Sequence, residues 1–290
     1  MKLLKPLGEI TPELRDRILN FRRMKSTFSP SVWDLEFFHA RSELPFYGYV
    51  EVQCEDARPF YMLTNADDVI AEFFLWYGRN SYERTTIREW VRHVKNSNVI
   101  FDIGANTGIF SLLGCSASDA PKQVVAFEPT LRACARVYEN ANVNGFTSNI
   151  KVEKLALSDQ EGVIEFMNYE GTHRISSGAS YVEGANHLPV QSRELCERIR
   201  LDSYIEKTGI SPDLIKMDVE GAEIDVVNGA RNVISRRSTK FIIEVVPTTV
   251  DVVVSAFDGY SVHVLDDNLG RAVPYTGGVT HHINLLFEPS

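Results

Sequence analysis

The chain is poor in cysteine and lacks both a long apolar run and a surplus of basic residues. Its four cysteines form no CxxC pair and no spacing typical of a metal site, so neither a disulfide framework nor a structural zinc site is predicted. The N-terminus lacks the apolar segment of a secretory signal, and no window approaches the roughly 18 apolar residues of a membrane span. These absences predict a cytoplasmic protein without a membrane partner.

The charge balance is acidic. Lys and Arg number 30 against 39 Asp and Glu, which gives a formal net charge of −9. Binding to a phosphate backbone depends mainly on clustered basic side chains, so no nucleic-acid partner is expected. A chain of 290 residues with 44% apolar residues can bury one large core. The composition is equally compatible with a monomer and a homo-oligomer.

Two regions differ in pattern. Residues 1–90 combine a helix that begins after Thr11 with two short strand-like stretches, FYGYVEV and PFYML, which predicts an α+β cap or lid region. Residues 91–290 alternate apolar strands with helices, which predicts a doubly wound, mostly parallel α/β sheet. In such sheets ligands bind at the carboxyl ends of the strands. The main predicted strands are 99–103, 123–128, 150–154, 214–217 and 241–245, with a further strand or hairpin at 162–167.

The loop DIGANTG, at residues 102–108, follows the first of these strands. The dinucleotide fingerprint is G-x-G-x-x-G, whereas here Asn106 stands between Gly104 and Gly108 and occupies space that a pyrophosphate needs. Asp102 would repel a phosphate and suits a cationic group. The loop therefore predicts a nucleoside with an amino-acid tail and no phosphate, S-adenosylmethionine. The alternative is a tight turn in which Asn106 caps the next helix.

Acidic and small residues follow the second and third strands. Glu128, before Pro129, can accept hydrogen bonds from both ribose hydroxyls of an adenosine ligand. Nicotinamide-dependent enzymes also bind the ribose hydroxyls with an acidic residue, so Glu128 does not distinguish S-adenosylmethionine from NAD. Ala156 and Leu157 allow an adenine ring to approach the backbone, and Asp159 is a candidate acceptor for its amino group.

Six motifs occur in a fixed order: DIGANTG, AFEP, ALSD, LDSY, IKMDVEGAE and IIEVVP. Together, over residues 82–287, they resemble the FkbM family of S-adenosylmethionine-dependent methyltransferases. The resemblance implies a seven-stranded Rossmann-like sheet of order 3-2-1-4-5-7-6 with an antiparallel last strand at 283–289. It also implies O-methylation of a hydroxyl on a small molecule, sugar or glycan. The residues it carries over to cofactor binding are Glu83, Asp102, Gly104, Ala105, Asn106, Gly108 and Glu128.

Carboxylates cluster where the chemistry of methyl transfer is expected. Asp218, Glu220 and Glu223 follow the fourth strand, and Glu244 ends the fifth; Asp218 is also a candidate cofactor ligand. A hydroxyl is a poor nucleophile, so a base or a metal should assist removal of its proton. Converging carboxylates require that one takes a proton or that a cation neutralises them. A carboxylate base and a bound divalent cation are both left open, as is a purely helix-stabilising role for Glu223.

The chain departs from the family at one position. Many similar sequences have a histidine two residues after the acid of the fifth strand, where this chain has Val246. His173 and His187, in a polar stretch at 169–189, are candidate substitutes, with His173 included among the catalytic candidates. His281 and His282, before the last strand, are ranked below them. Alternatives to a methyltransferase are a nicotinamide-dependent oxidoreductase and a non-catalytic module that binds an adenosine ligand.

Overall fold

The computed structural model describes residues 10–25, 34–120, 122–169 and 189–290. Within these ranges, the helices are α1 (Pro12–Lys25), α2 (Leu35–Glu43), α3 (Val69–Tyr77), α4 (Arg84–Val94), α5 (Ile109–Ser116), α6 (Leu131–Val143), α7 (Leu201–Thr208), α8 (Glu223–Asn228), α9 (Arg231–Ser235) and α10 (Val250–Ser255). The strands are β1 (Tyr47–Val52), β2 (Phe60–Asn65), β3 (Val99–Ile103), β4 (Gln123–Phe127), β5 (Ile150–Glu153), β6 (Leu155–Leu157), β7 (Gly162–Tyr169), β8 (Val190–Ile199), β9 (Leu214–Met217), β10 (Lys240–Val245), β11 (Tyr260–Asp266), β12 (Arg271–Pro274) and β13 (Ile283–Pro289).

The main sheet has the predicted topology. Its order is β12-β11-β13-β10-β9-β3-β4-β5, which in the numbering of the seven expected strands is 6-7-5-4-1-2-3 after the edge strand β12. The five central strands from β10 to β5 pair in parallel, and β13 runs antiparallel to both β10 and β11. The expectation of a doubly wound Rossmann-like sheet is therefore confirmed. The strand β12 is an addition that extends the sheet by a hairpin.

The central strands are apolar on both faces because helices cover both sides of the sheet. All four residues of β9 are buried, and Lys216 is the one among them that is not apolar. One core cluster on each face joins the sheet to its helices. The strand ends thus emerge from a rigid base, and the loops that follow them are held at fixed positions.

The N-terminal region packs on one face of this sheet. The predicted strands form the antiparallel hairpin β1–β2, and Thr11 accepts a hydrogen bond from the backbone of Leu14 at the start of α1. The same core cluster includes residues of α1 to α4 and of β3 to β5. The indole nitrogen of Trp90 donates to the carbonyl of Phe110 at 3.0 Å, which ties α4 to α5. The region is therefore continuous with the core that supports the strand ends.

A second, three-stranded sheet follows the third parallel strand. Its order is β6-β8-β7, and β7 and β8 form the hairpin expected near 162–167. His173 and His187 lie outside the described residues, between these two strands. None of the described helices combines the length and the apolar character needed to cross a membrane.

Candidate active site

A cavity of about 330 Å³ lies at the carboxyl ends of the parallel strands. This is within the range of small-molecule sites, about 300–1,000 Å³. Nine of the predicted residues line it: Glu83, Gly104, Asn106, Glu128, Pro129, Ala156, Leu157, Asp218 and Glu220. Glu244, predicted from the fifth strand, lines it as well. Lining residues that the sequence did not single out are apolar for the most part: Val69, Ile70, Ile103, Phe127, Leu155, Phe166 and Val219.

The glycine loop approaches the next strand end closely. A Cβ atom on Gly104 would lie 1.7 Å from the carbonyl oxygen of Asp218, and its φ of 78° is in the left-handed region. Its N–H donates to the carbonyl of Phe127 at 2.9 Å. A side chain at this position is therefore incompatible with the arrangement, which leaves the space beside the loop open.

Asn106 has a polar atom without a protein partner. Its backbone N–H donates to Glu128 Oε2 at 3.0 Å, while its buried side-chain oxygen Oδ1 accepts no hydrogen bond from the described residues. Buried acceptors usually have a partner. An amide oxygen of this kind fits a ligand that brings an N–H or O–H donor to the loop.

Glu128 is held by its own turn. Oε1 accepts hydrogen bonds from the backbone N–H and the hydroxyl of Thr130, at 2.9 and 2.7 Å, and Oε2 accepts from Asn106. A carboxylate has about four acceptor positions, so roughly one, on Oε2, is left for a ribose hydroxyl. Burial raises the pKa of Glu128 to about 7. The expected contact with both hydroxyls would require one of the Thr130 bonds to be replaced.

Asp102 has a different position from the one expected. It is buried and does not line the cavity; its Oδ2 accepts from the backbone N–H and the hydroxyl of Ser111, at 2.8 and 2.6 Å. Burial raises its pKa to about 6. Asp102 thus stabilises the first turn of α5 through these two hydrogen bonds, and its carboxylate does not face the cavity.

Three further predicted residues are absent from the cavity lining. Ala105 is buried and donates its N–H to the carbonyl of Phe127. Gly108 begins α5 with a φ of 92°. Asp159 lies within 3.3 Å of the hydroxyl of Ser158. The first two shape the loop, so their contribution to a ligand would be indirect.

Two of the four carboxylates expected to converge, Asp218 and Glu244, lie together with Glu83. One oxygen from each of Glu83, Asp218 and Glu244 lies within 4.8 Å of the others. The charge of Asp218, together with burial, raises the pKa of Glu244 to about 8. Burial and the charge of Asp218 raise that of Glu220 to about 9. Burial also raises the pKa of Glu83. At neutral pH these values favour the protonated form of Glu220 and Glu244.

Lys216 supplies a positive charge that the sequence analysis missed. Its side chain is fully buried, its Nζ is 3.7 Å from Asp218 Oδ2 and 5.0 Å from the ring centre of Phe110, and it has no hydrogen-bond partner among the described residues. Burial alone would lower its pKa, but the neighbouring carboxylates, Asp218 first, raise it.

An ammonium group in this position competes with a divalent cation for the same carboxylates, although Mg²⁺ or Ca²⁺ can complete its shell of oxygen ligands with water. A bound divalent cation stays a prediction.

Two more catalytic candidates have distinct environments. Glu223 is buried, does not line the cavity, and accepts from the N–H of Gly221 at 2.8 Å, which supports the first turn of α8. His282, which the sequence ranked low, has its Nδ1 3.6 Å from Glu244 Oε1. His173 belongs to the segment outside the described residues. The sequence alone could not place His282 at this site, because its position depends on how β13, which follows it, pairs with β10.

Backbone strain is concentrated around the cavity. Glu83, Asn106 and Glu220 all line it and have φ values of 35°, 48° and 51°. Left-handed conformations cost side-chain-bearing residues of the order of 1 kcal/mol or more, and they persist where the surrounding structure imposes them. Three such residues at one cavity indicate that the fold holds these side chains in place for binding or chemistry.

The charged side chains that line the cavity are all acidic, since Lys216, beside Asp218, is not among the lining residues. Among the described lining residues, none is Lys, Arg or His, whereas five carry carboxyl groups: Glu83, Glu128, Asp218, Glu220 and Glu244. A diphosphate would meet carboxylates with no basic partner. A ligand with a positive group fits this wall.

Comparisons with known proteins agree with this geometry. The family model described as the methyltransferase FkbM domain matches residues 102–259. The chain is 30% identical over 179 residues to the AMB antimetabolite synthetase AmbE of Pseudomonas aeruginosa, covering 51% of this chain and 8% of that protein. It is 34% identical over 170 residues to the 2-O-methyltransferase NoeI of Sinorhizobium fredii, covering 51% and 63%.

A third relative is the hexuronic acid methyltransferase AglP of Haloferax volcanii, 28% identical over 174 residues and covering 58% of this chain and 64% of the relative. The chain thus spans less than two thirds of the length of each of these three proteins.

Proposed function

The chain belongs to the FkbM methyltransferase family, and from this we propose that it transfers the methyl group of S-adenosylmethionine to a hydroxyl oxygen of a small molecule, sugar or glycan. When bound, S-adenosylmethionine supplies an electrophilic methyl group on a positively charged sulfur. The family match gives no support to a nicotinamide-dependent oxidoreductase.

The observation that carries this proposal is the acidic, phosphate-excluding wall of the cavity. The sulfonium and the amino group of S-adenosylmethionine are both cationic, and five carboxyl groups line the space that would receive them. A bound cation favours the ionised form of a carboxyl group, and so offsets the burial that raises the pKa of Glu128, Glu220 and Glu244. The same wall disfavours NAD, which carries a diphosphate.

Each part of the cavity has a distinct task under this proposal. Glu128 Oε2 accepts from a ribose hydroxyl, and the free Oδ1 of Asn106 accepts a donor from the amino-acid tail. The apolar side chains of Leu157 and Phe166 pack against the adenine ring. These residues would hold the nucleoside in the cavity, where the carboxyl of Asp218 would offset the positive charge of its sulfonium. Glu220 and Glu244, whose pKa values are raised, would release protons while that positive charge is present.

Two of the relatives and the carboxyl groups of the cavity support a proposal for the acceptor class. NoeI is a 2-O-methyltransferase and AglP a hexuronic acid methyltransferase. Polar carboxylates beside the reaction centre suit an acceptor with several hydroxyl groups, since each carboxyl can accept a hydrogen bond. We therefore propose a sugar or glycan hydroxyl as acceptor, with Val69 and Ile70 of the N-terminal region forming one apolar side of its path.

The test compares two ligands on the same protein. Isothermal titration with S-adenosylhomocysteine and with NAD should give binding for the first and none for the second. Labelled S-adenosylmethionine should then transfer its methyl group to members of a panel of methyl hexopyranosides and methyl hexuronosides. Binding of NAD alone would overturn the proposal. Binding of S-adenosylhomocysteine without transfer to any acceptor would favour the non-catalytic module instead.

Within this test, Asp218→Asn and Glu220→Gln separate chemistry from binding. We expect both to lower turnover by at least about tenfold while S-adenosylhomocysteine still binds. Unchanged turnover in both variants would remove these residues from the mechanism. A cytoplasmic location, the absence of a nucleic-acid partner and a homo-oligomeric state stay predictions.

A further inference from the structure

His282 is the one histidine, among the described residues, that pairs with a side chain of the cavity. Its Nδ1 lies 3.6 Å from Oε1 of Glu244, which lines the cavity, while 59% of the histidine side chain is exposed. The ring thus bridges the carboxylate cluster and solvent. A group in this position can exchange a proton with an entering hydroxyl and release it to water.

The antiparallel pairing of β10 with β13 accounts for this position. Glu244 lies opposite Asn284, and Val245 opposite Ile283. His282 directly precedes β13, and its ring reaches Glu244 at the end of β10. Two residues on, the amide of Asn284 donates to Glu83 Oε2 at 3.2 Å, which ties the start of β13 to the same cluster. The pairing of β10 with β13 therefore brings His282 beside a carboxyl group that lines the cavity.

The carboxylates themselves are poorly suited to accept a proton. Burial and the charge of Asp218 raise the pKa of Glu220 to about 9, so this group already holds a proton near neutral pH, and the titration of Glu244 is shared with His282. Asp218 has the ammonium of Lys216 beside it at 3.7 Å. An imidazole is the remaining group near the cluster that can take up a proton in this pH range.

We propose that His282 is the general base that removes the proton from the acceptor hydroxyl, with Glu244 as the residue that positions its ring. This inference rests on the proposed methyl transfer. With Nδ1–H directed to Glu244, the lone pair of Nε2 is available to the hydroxyl. The O–H proton passes to Nε2 as the oxygen–methyl bond forms and the methyl–sulfur bond breaks, its electron pair remaining on sulfur. One positive charge moves from the sulfonium to the imidazolium, and the exposed ring then releases its proton to solvent.

The groups that face His282 determine the pH dependence. Glu244 contacts the ring from β10, Asp218 lies at the end of β9, and Glu223 begins α8. The hydrogen bond to Glu244 and the charges of all three carboxylates raise the pKa of His282 above 6.5, although burial lowers it. Because the base must be neutral, kcat/KM should rise with pH through an acid limb whose apparent pKa lies above 6.5 and belongs to the His282–Glu244 pair.

The first experiment compares two neighbouring histidines. His282→Gln should lower kcat by at least about 100-fold and remove the acid limb, with S-adenosylhomocysteine binding unchanged. His281→Gln, a change of the same size at an exposed residue beside Thr280, should behave as wild type. Added imidazole should restore part of the activity of His282→Gln alone. Full activity in His282→Gln would overturn the assignment while leaving the proposed methyl transfer intact.

The second experiment needs no acceptor. The titration of His282, followed by NMR with S-adenosylhomocysteine bound, should give a pKa above 6.5 that falls in Glu244→Gln. An unshifted titration that does not respond to Glu244→Gln would overturn the pairing. Wild-type protein that binds S-adenosylhomocysteine but methylates no acceptor would instead contradict the proposed function, so the two failures are distinguishable.

Discussion

The absence of a Cβ atom at Gly104 allows the loop after β3 to contact the backbone that follows β9. We expect Gly104→Ala to abolish S-adenosylhomocysteine binding, because the new methyl group would meet the carbonyl of Asp218 at 1.7 Å. Gly145→Ala is the matched control, since Gly145 has a similar φ of 74° but no atom within 4 Å of the added carbon. Both variants share a left-handed strain of about 1–2 kcal/mol, and only the first adds a collision. Titration calorimetry, with urea unfolding of both variants, measures the difference.

Equal binding by the two alanine variants would contradict this account of the loop.

Lys216 gives a second prediction at the scale of one residue. Lys216→Met should destabilise the protein by about 2–4 kcal/mol, because a partly buried Asp218 loses its counter-charge. Adding Asp218→Asn should recover part of that loss, since the double variant contains neither charge. Urea unfolding at pH 7 checks both. A double variant whose loss equals the sum of the two single losses would show that the pair is not coupled.

Single residues also mark the limit of sequence interpretation. Glu128 and Asp218 could be predicted because the residue after a buried strand has a known location in a doubly wound sheet. Lys216 could not, since a lysine within a short strand is ordinarily assigned to an exposed face, and only the packing of Phe110 and the carboxylates makes burial tolerable. The motif around Asp102 is equally compatible with a ligand contact and with a helix cap, and its hydrogen bonds to Ser111 identify the cap.

At the scale of elements, α6 is fastened to the N-terminal region by a buried ion pair. Both Arg132 and Arg136 project from α6 to Asp67, at 2.8 and 3.0 Å, but their side chains are 55% and 7% exposed. We expect Arg136→Met to cost about 3–5 kcal/mol, because it removes the buried partner of Asp67 and leaves only the exposed Arg132 beside that carboxylate. Arg132→Met should cost less than about 1 kcal/mol, as is usual for exposed ion pairs. Urea unfolding of the two variants measures this difference.

Equal decreases in the free energy of unfolding of the two variants would contradict the larger role assigned to the buried arginine.

Elements differ in how well the sequence predicts them. The parallel strands were located because each is a short apolar run followed by a turn or an acid. Helix α3, VIAEFFLWY, was not located, because it is apolar on every side and lacks a polar face with helical periodicity. Its N-cap, Asp68, accepts from the N–H groups of Ile70 and Ala71, and this is the local signal that would have identified the helix. As a result, the contribution of Val69 and Ile70 to the cavity was also missed.

The whole molecule should be most stable on the acidic side of neutrality. Burial raises the pKa of Asp102 to about 6 and that of Glu128 to about 7, whereas such groups titrate near 4 when unfolded. Between these values the folded chain binds more protons than the unfolded chain. The stabilisation is therefore complete below about pH 4 and is lost as the pH rises through 6 and 7. We expect these two acids to lower the free energy of unfolding by about 2–4 kcal/mol between pH 5 and 8, and the raised pKa values of Glu220 and Glu244 act in the same direction.

Urea unfolding at pH 5, 6.5 and 8 measures this slope, and Glu128→Gln should make it shallower. A free energy of unfolding that is constant or increases over this range would contradict the assignment of the two buried acids.

The antiparallel register of β10 and β13 has a consequence for comparing sequences. The register of Val245 with Ile283, continued by one step, would place position 246 opposite position 282. The resemblance to the family implies a histidine at the first of these positions in many members, and this chain bears one at the second. In an alignment, this difference looks like the loss of a histidine in one column and an unrelated gain of a histidine in a distant column. The pairing of the two strands brings the two positions together in the fold. Searches for the missing imidazole in other members should therefore follow the partner strand.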